Sequence, residues 1–135
     1  MNENDIDQMP AGPELDALCA RAMGWEEIAW DFVPSGTGYT SVPTWRDPGG
    51  VDHFALPALS RDIKAAFTLD REGWLWNLIE RPDYAYVVLH PYESLFYTHR
   101  SRVYWYETNG DRSKAFALAI ARCVAKWYLE QADNE

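Results

Sequence analysis

Arginine and tyrosine alternate in the segment Arg102-Val103-Tyr104-Trp105-Tyr106, and Arg100 precedes it. Side chains two residues apart on a strand point to the same face, so Arg102, Tyr104 and Tyr106 share one face. Arginine beside exposed aromatic rings is a combination that holds single-stranded nucleic acid or a nucleotide. We therefore predict such a site at Arg100, Arg102, Tyr104 and Tyr106. In the alternative interpretation a helix covers this face, and the tyrosines belong to the core.

A second set of candidate residues lies in the segment 34–50, which is rich in proline and glycine. Tyr39, Trp45 and Arg46 are of the residue types that dominate the energetics of protein interfaces. Connections of this length are more often functional than short ones. We predict that these three residues contact a partner protein. In the alternative interpretation, Trp45 fills the edge of the core beneath the loop.

Metal binding and catalysis have weaker support in the sequence. The three histidines, His53, His90 and His99, do not follow a metal-ligand spacing. A hairpin that brings His90 and His99 together with Glu93 would give a two-histidine, one-carboxylate site, and a metal-dependent hydrolase is therefore the third hypothesis. No nucleophile elbow and no phosphate-binding glycine loop is found. We expect a protein without catalytic residues, metal or cofactor.

Composition indicates one folded domain. The chain has 135 residues, of which 47% are hydrophobic and 15% aromatic. The net charge is −9, but five acids lie in residues 1–16 and three in residues 130–135, without a lysine or arginine in either segment. The sequence therefore predicts a flexible acidic lead-in over 1–12, a domain over 13–131 and an acidic tail over 132–135.

The two cysteines favour a reducing compartment. Cys19 and Cys123 lie on apolar helical stripes, which predicts buried free thiols rather than a disulfide. No stretch is apolar and long enough for a membrane-spanning helix, and no charged start precedes an apolar signal core. We expect a protein of the bacterial cytoplasm with no membrane partner.

Periodicity predicts most of the regular elements of the N-terminal half. Pro13 and the apolar spacing that follows it predict a helix that ends at Gly24. Alternation over Glu26–Val33 predicts a strand, and the loop after it resembles a loose hairpin with arms Tyr39–Trp45 and Val51–Ala55. Ser60 is the predicted cap of a short helix, which breaks near Gly73 or continues through 74–79.

The C-terminal half predicts three antiparallel strands and a closing helix. The strands are 84–89, 95–99 and 102–108, with turns at 90–94 and 100–101. An apolar stripe from Phe116 to Trp127 predicts a helix that packs on this sheet. We expect five side chains to hold the sheet between two helices: Ile63, Phe67, Phe116, Ile120 and Trp127.

Three segments share a pattern of caps and core positions. They are the helix from Glu14 to Met23-Gly24-Trp25, the segment Leu56–Phe67 with its Ser-x-Asp-Ile-x-Ala-Ala order, and the alanine-rich Ala115–Trp127. The pattern resembles the phage ABA sandwich domain family, small proteins of bacteriophages and prophages. After Ala66 the family pattern has Trp, where this chain has Phe67. The resemblance implies a three-layer α/β/α sandwich with a mainly antiparallel sheet, and it supplies no functional residues.

The functional expectation combines this resemblance with the loop residues. It is a phage or prophage accessory protein that binds a host protein, in its sharpest form an inhibitor of a host defence system that acts by steric contact. The alternative is binding of a nucleotide or of single-stranded nucleic acid through arginine and tyrosine. An aromatic-rich sheet edge also favours a homodimer.

Overall fold

The computed structural model describes residues 1–91 and 98–133, without the side chains of 29–31, 33, 42 and 133. These residues form α-helices, strands and one 3-10 turn at Trp105–Thr108. In chain order the elements are α1 (Glu3–Gln8), α2 (Pro13–Ala22), β1 (Glu26–Ser35), β2 (Gly38–Arg46), β3 (Asp52–His53), α3 (Ile63–Ala66), β4 (Leu75–Glu80), β5 (Tyr84–His90), β6 (His99–Tyr104) and α4 (Arg112–Asp133).

The strands of the described residues form two antiparallel sheets of three strands each, in the orders β1-β2-β3 and β4-β5-β6. In both sheets, neighbours in the sheet are also neighbours along the chain. The prediction of a mixed fold with antiparallel strands is confirmed. The β4-β5-β6 sheet packs one face on α4, and α1, α2 and α3 also contact α4.

The closing helix α4 lies at the centre of the molecule. All side chains from Ala117 to Lys126 are buried, which gives α4 a buried surface on every side. Its many alanines let the sheet and the other helices approach closely, since they add little volume at the contact. The predicted stripe is confirmed at Ile120, Cys123 and Val124. The expected role of Phe67 is wrong, because α3 presents this ring to solvent.

The N-terminal residues pack on the domain instead of forming the predicted flexible lead-in. Asn2 and Asp5 form a reciprocal capping box at the start of α1. Ile6 is fully buried, and Asp7 Oδ1 lies 2.6 Å from Lys126 Nζ. Arg122 donates two hydrogen bonds to the carbonyl of Met9, at 2.8 and 3.2 Å. Burial of the Ile6 and Met9 side chains and these contacts order a segment that its polar composition does not predict.

A buried carboxylate explains why Ser60 is not a helix cap. Asp16 in α2 accepts hydrogen bonds from the Ser60 amide at 2.7 Å and from its hydroxyl at 2.6 Å. The Ser60 hydroxyl in turn accepts from the Gly12 amide. Asp62 caps α3 by accepting from the Lys64 amide. Asp16 therefore links α2 to the turn before α3, and the amide and hydroxyl of Ser60 both have a hydrogen-bond partner.

Two predictions for residues 74–108 need correction, and a third lies mostly outside the described residues. Residues 75–80 form β4 and not the continuation of a helix, because Gly73 at φ +86° ends the preceding turn. The predicted turn at 100–101 lies inside β6, which ends at Tyr104 because Trp105–Thr108 turn into the 3-10 helix. Most of the predicted 95–99 strand and the turn at 90–94 lie outside the described residues.

The segment 34–50 is mainly a hairpin rather than a loop. β1 continues to Ser35, and β2 pairs with it from Gly38. The glycine at position 36 has a φ of +60°, which the tight turn between the two strands requires. Only Trp45 and Arg46 pair with the short strand β3, so the predicted second arm is reduced to two residues.

Both cysteines are free and buried, as predicted. Cys19 donates to the Ala121 carbonyl at 3.2 Å, and this contact joins α2 to α4. Burial raises the pKa of Cys123 to about 12. Both thiols are therefore protonated core side chains, and neither is a nucleophile.

Candidate functional site

The alternation of buried and exposed side chains gives the β4-β5-β6 sheet two different faces. On β5, Ala85, Val87 and Leu89 are buried toward α4, whereas Tyr84 and Tyr86 point the other way and are partly exposed. The register sets Tyr84 opposite Tyr104 and Tyr86 opposite Arg102. Arg102, which lies on the same face as Tyr86, is exposed, so this part of the second face is open to solvent. We call the set Tyr84, Tyr86, Arg100, Arg102, Tyr104 and Tyr106 the tyrosine–arginine face.

Arg102 lies at the centre of the tyrosine–arginine face. Its guanidinium carbon is 4.6 Å from the centroid of the Tyr84 ring and 5.9 Å from that of Tyr86. A hydrogen bond with Tyr104, and next to it the Tyr84 ring, raises the pKa of Arg102 above its usual range. The guanidinium is thus held as a cation over aromatic rings while it stays open to solvent.

Two tyrosine rings extend this face beyond the end of β6. The rings of Tyr104 and Tyr106 stack with centroids 5.5 Å apart and planes 16° apart, and the side chain of Tyr106 is 77% exposed. The 3-10 turn that carries Tyr106 is fixed at its start, since Glu107 accepts from the Tyr104 amide at 2.8 Å. A flat ring therefore faces solvent on a backbone of defined geometry.

A groove of about 480 Å³ runs between the tyrosine–arginine face and the N-terminal segment. Tyr86, Arg100, Arg102 and Tyr104 line it on the sheet side, and Asp7 of α1 lies at its border. The Asp7 carboxylate is paired with Lys126, whose ammonium also donates to the Arg100 carbonyl at 2.5 Å. The negative charge of Asp7 is thereby balanced. The groove presents aromatic rings and two guanidinium groups, of which Arg100 donates to the Thr98 hydroxyl at 3.1 Å and Arg102 bonds Tyr104.

Buried contacts hold the strand under this groove. His99, Ser101 and Val103 of β6 are buried on the side of α4. Burial lowers the pKa of His99, although Glu130 Oε2 lies 2.8 Å from its Nε2. The neutral ring is therefore part of the support of β6 and not part of the solvent-facing site.

The predicted partner-binding residues do not form one surface. Trp45 is 3% exposed and packs under the guanidinium of Arg21, whose carbon is 5.3 Å from the ring centroid. Arg46 points to the other side of β2 and pairs with Asp52 at 2.9 Å. Tyr39 lies six residues from Trp45, roughly 20 Å along the strand, and is 75% exposed. The interpretation of Trp45 as a surface contact is wrong; it fills the base of the hairpin.

The histidines also lie apart. His99 is on the buried face of the sheet and His90 on the opposite one, because His99 pairs with Leu89, the neighbour of His90 on the strand. Glu93, the third residue of the suggested metal site, lies outside the described residues. His53 Nε2 is 2.8 Å from Asp47 Oδ2 in the other sheet. Among residues 1–91 and 98–133, no cluster of three or more His, Cys, Asp or Glu side chains could hold a metal ion.

Comparisons of the chain with protein-family models, with curated proteins and with solved structures give no match. The resemblance to the phage ABA sandwich domain family therefore stays a prediction. In the part of the chain that the structure describes, every helix is too short or too polar to cross a membrane.

Tyr84 and Tyr86 are the site residues that the sequence analysis missed. The signal was present, because Tyr84-Ala85-Tyr86 has the same spacing of two as Arg102 and Tyr104. Only the register between β5 and β6 shows that the two pairs meet, and the sequence does not give this register.

Proposed function

We propose that this protein binds single-stranded nucleic acid, or a nucleotide as a shorter form of the same ligand, through the tyrosine–arginine face. One observation carries the proposal: Arg102 lies over Tyr84 on an open sheet face, beside the stacked pair Tyr104 and Tyr106. The rings offer surfaces to unpaired bases, and the guanidinium groups of Arg100 and Arg102 offer contacts to phosphate.

A single strand fits this face better than a duplex does. The tyrosine rings would contact the faces of bases, and these faces are covered in a duplex by stacking. The chain carries a net charge of −9, which disfavours binding that depends on charge alone. Arg100 and Arg102 attract phosphate locally, so the site does not require a wider basic surface. We therefore expect binding of short segments, with a large part of the affinity from stacking.

Fluorescence anisotropy with labelled single-stranded DNA and RNA at low salt tests the proposal. Base–aromatic stacking contributes about 1–3 kcal/mol per base, so Tyr104→Ala should weaken binding by roughly 5- to 150-fold. Arg102→Gln should weaken it as well. Tyr39→Ala is the control, because it removes an exposed tyrosine from the other sheet. Absence of binding, or an equal loss in the Tyr39 variant, would contradict the proposal.

A thermal-shift series across nucleotides separates the two forms of the ligand. A nucleotide that occupies the face should raise the melting temperature at micromolar concentration, since a ligand of the native state alone stabilises it. Arg102→Gln should remove this shift. Stabilisation by oligonucleotides but not by mononucleotides would define the ligand as a strand.

The β1–β2 hairpin supports a second candidate function, contact with a host protein. Phe32 is 74% exposed and shares a face of the hairpin with Tyr39, since Phe32 pairs with Ser41 and Pro34 with Tyr39. A contiguous exposed patch of large apolar side chains is typical of an interaction site. In this proposal the chain is a phage or prophage accessory protein of the host cytoplasm, which blocks a host defence protein by steric contact.

Competition tests this second function. A host defence nuclease should lose binding to its nucleic acid when the protein is added, and Phe32→Ala should restore that binding. Arg102→Gln serves as the control and should block as well as the natural chain. If only Arg102→Gln loses the effect, the protein competes for the nucleic acid itself, which supports the first function.

The three-layer α/β/α sandwich belongs with these proposals. One helical layer has support, because α4 packs on β5 and β6. A second layer over the sheet would cover Tyr86 and Arg102 and exclude a ligand from them. The accessibility of Tyr86 to a small modifying reagent separates the complete sandwich from the open binding face.

A further inference from the structure

The two edges of the β4-β5-β6 sheet differ. The edge at β6 lies near α1, since Glu3 Oε1 is 3.9 Å from His99 Nδ1 and Asp7 lines the groove beside Arg100. The edge at β4 has no strand partner among the described residues. An uncovered edge strand presents backbone amides and carbonyls that pair readily with another strand.

Most of the side chains at the β4 edge are apolar. Leu75 is 69% exposed and Leu78 is 42% exposed. On the α4 side, Trp76 and Leu78 line an apolar cavity of about 150 Å³ together with the exposed ring of Phe67. The one charged residue of β4, Glu80, is its last residue and pairs with Arg112. The edge therefore lacks the charges and prolines that prevent pairing in many sheets.

The order of residues in β4 is self-complementary. We propose that two copies of this chain associate by antiparallel pairing of their β4 strands around a two-fold axis at Asn77. In this register Leu75 lies opposite the partner copy's Ile79 and Trp76 opposite its Leu78, while Asn77 lies opposite its own counterpart. Every apolar residue meets an apolar one, as a two-fold interface requires. Both members of each pair point to the same face of the sheet, because their positions differ by an even number.

The neighbouring symmetric register is less favourable. An axis at Leu78 would set Glu80 opposite Trp76 and Arg81 opposite Leu75. Each of these pairs brings a charged group against an apolar side chain and separates it from water. The axis at Asn77 leaves Glu80 beyond the paired segment, where its contact with Arg112 is retained.

The association would join the two sheets into one of six strands. Strands lie 4.7–4.9 Å apart, so the two β5 strands would be three spacings, roughly 14 Å, from one another. Both tyrosine–arginine faces would point to the same side. A single strand of nucleic acid could then contact both, with an increase in affinity from the second contact. This last consequence rests on the proposed function, whereas the pairing of β4 does not.

Sedimentation velocity over a concentration series tests the association. The natural chain should show a reversible dimer. Leu75→Lys should raise the dimer dissociation constant by at least about tenfold, because the contact with Ile79 occurs twice by symmetry. Val51→Lys is the matched control, since it places the same charge at an exposed apolar position outside the sheet. A chain that is monomeric throughout overturns the proposal, as does a dimer that Leu75→Lys leaves unchanged.

Cross-linking tests the register. A short bifunctional maleimide should link Asn77→Cys to a dimer rapidly, because the two thiols meet across the axis. Tyr106→Cys is the control and should react without linking, since position 106 lies far from the edge. The natural cysteines are buried and protonated, so they contribute little. Equal linking at both positions overturns the register.

The dimer through β4 and the ligand binding on the tyrosine–arginine face can be refuted independently. Leu75→Lys should abolish the dimer and leave the binding of a very short oligonucleotide unchanged, whereas Arg102→Gln should weaken this binding and leave the dimer intact. A monomer that captures a foreign strand at β4 would refute the dimer without bearing on the tyrosine–arginine face.

Discussion

The two sheets of this protein are both antiparallel and three-stranded, yet they present their aromatic side chains in different settings. In the β4-β5-β6 sheet the rings of Tyr84, Tyr86 and Tyr104 surround Arg102 on strands whose other face is buried against α4. In the β1-β2-β3 sheet, Trp45 is buried at the base of the hairpin, and every described side chain from Pro34 to Ser41 is exposed.

The difference shows what makes an aromatic side chain a candidate for ligand binding. Burial of one sheet face fixes the strands, and the alternation of side chains then fixes the rings on the other face. Beyond the base of the hairpin the described side chains are exposed, Phe32 and Tyr39 among them, and no described lysine or arginine lies over either ring. Exposure alone favours contact with a protein, whereas ordered rings around a cation favour a planar anionic ligand.

The largest expected effect is on stability. Leu89→Ala removes a fully buried side chain beneath the tyrosine–arginine face and should lower the free energy of unfolding by about 2–5 kcal/mol. Phe32→Ala in the hairpin should change it by less than about 0.5 kcal/mol. Urea denaturation followed by circular dichroism measures both. Similar losses in the two variants would show that the hairpin packs on the core as the β4-β5-β6 sheet does.

A smaller effect is expected from pH. Burial lowers the pKa of His99 in the folded protein, while in the unfolded chain the ring titrates near its usual value of about 6.5. Below that value the unfolded state binds the proton more readily, so the stability falls as the pH drops from about 6.5 toward the folded pKa. His99→Gln should flatten the dependence of the melting temperature on pH in this window.

The control for the pH series is Tyr39→Ala in the hairpin, which should retain the slope of the natural chain. If His99→Gln leaves the slope of melting temperature against pH unchanged, the titration of His99 does not cause the pH dependence of stability.

The smallest expected effect is on the salt dependence of ligand binding. Each phosphate contact on a single strand contributes about −0.7 to the slope of log affinity against log salt. Arg100 and Arg102 together predict a slope of roughly −1.4, and Arg102→Gln should reduce it by about 0.7. Anisotropy titrations at several salt concentrations measure it. An unchanged slope would mean that Arg102 contacts the bases or nothing at all.

Periodicity was sufficient for the elements that bury one face. α2, β5 and α4 follow from their apolar spacing, because each packs a stripe or an alternate set on the core. β1 follows from its alternation as well, although its described side chains are exposed. β4 could not be recognised in this way, since Leu75, Trp76, Leu78 and Ile79 are apolar on both of its faces. α1 has a single buried apolar side chain, Ile6, and its ion pair with α4 joins Asp7 to Lys126, which is distant in sequence.

The candidate site was predictable only in part. The spacing of Arg102 and Tyr104 gave one strand of the face, but the second strand depends on a register set by packing. The burial of Trp45 depends on Arg21, which lies in another part of the chain. The sequence predicted two aromatic surfaces. The tertiary contacts show that in one of them, the tyrosine–arginine face, the rings are ordered around the Arg102 cation.

Amide chemical-shift mapping tests most directly that the tyrosine–arginine face is the binding surface. A nitrogen-15-labelled sample is titrated with a short single-stranded oligonucleotide. We expect shifts concentrated at Tyr84, Tyr86 and residues 100–106, with the signals of residues 32–41 unchanged. Shifts confined to the hairpin, or no shifts at saturating oligonucleotide, would contradict it.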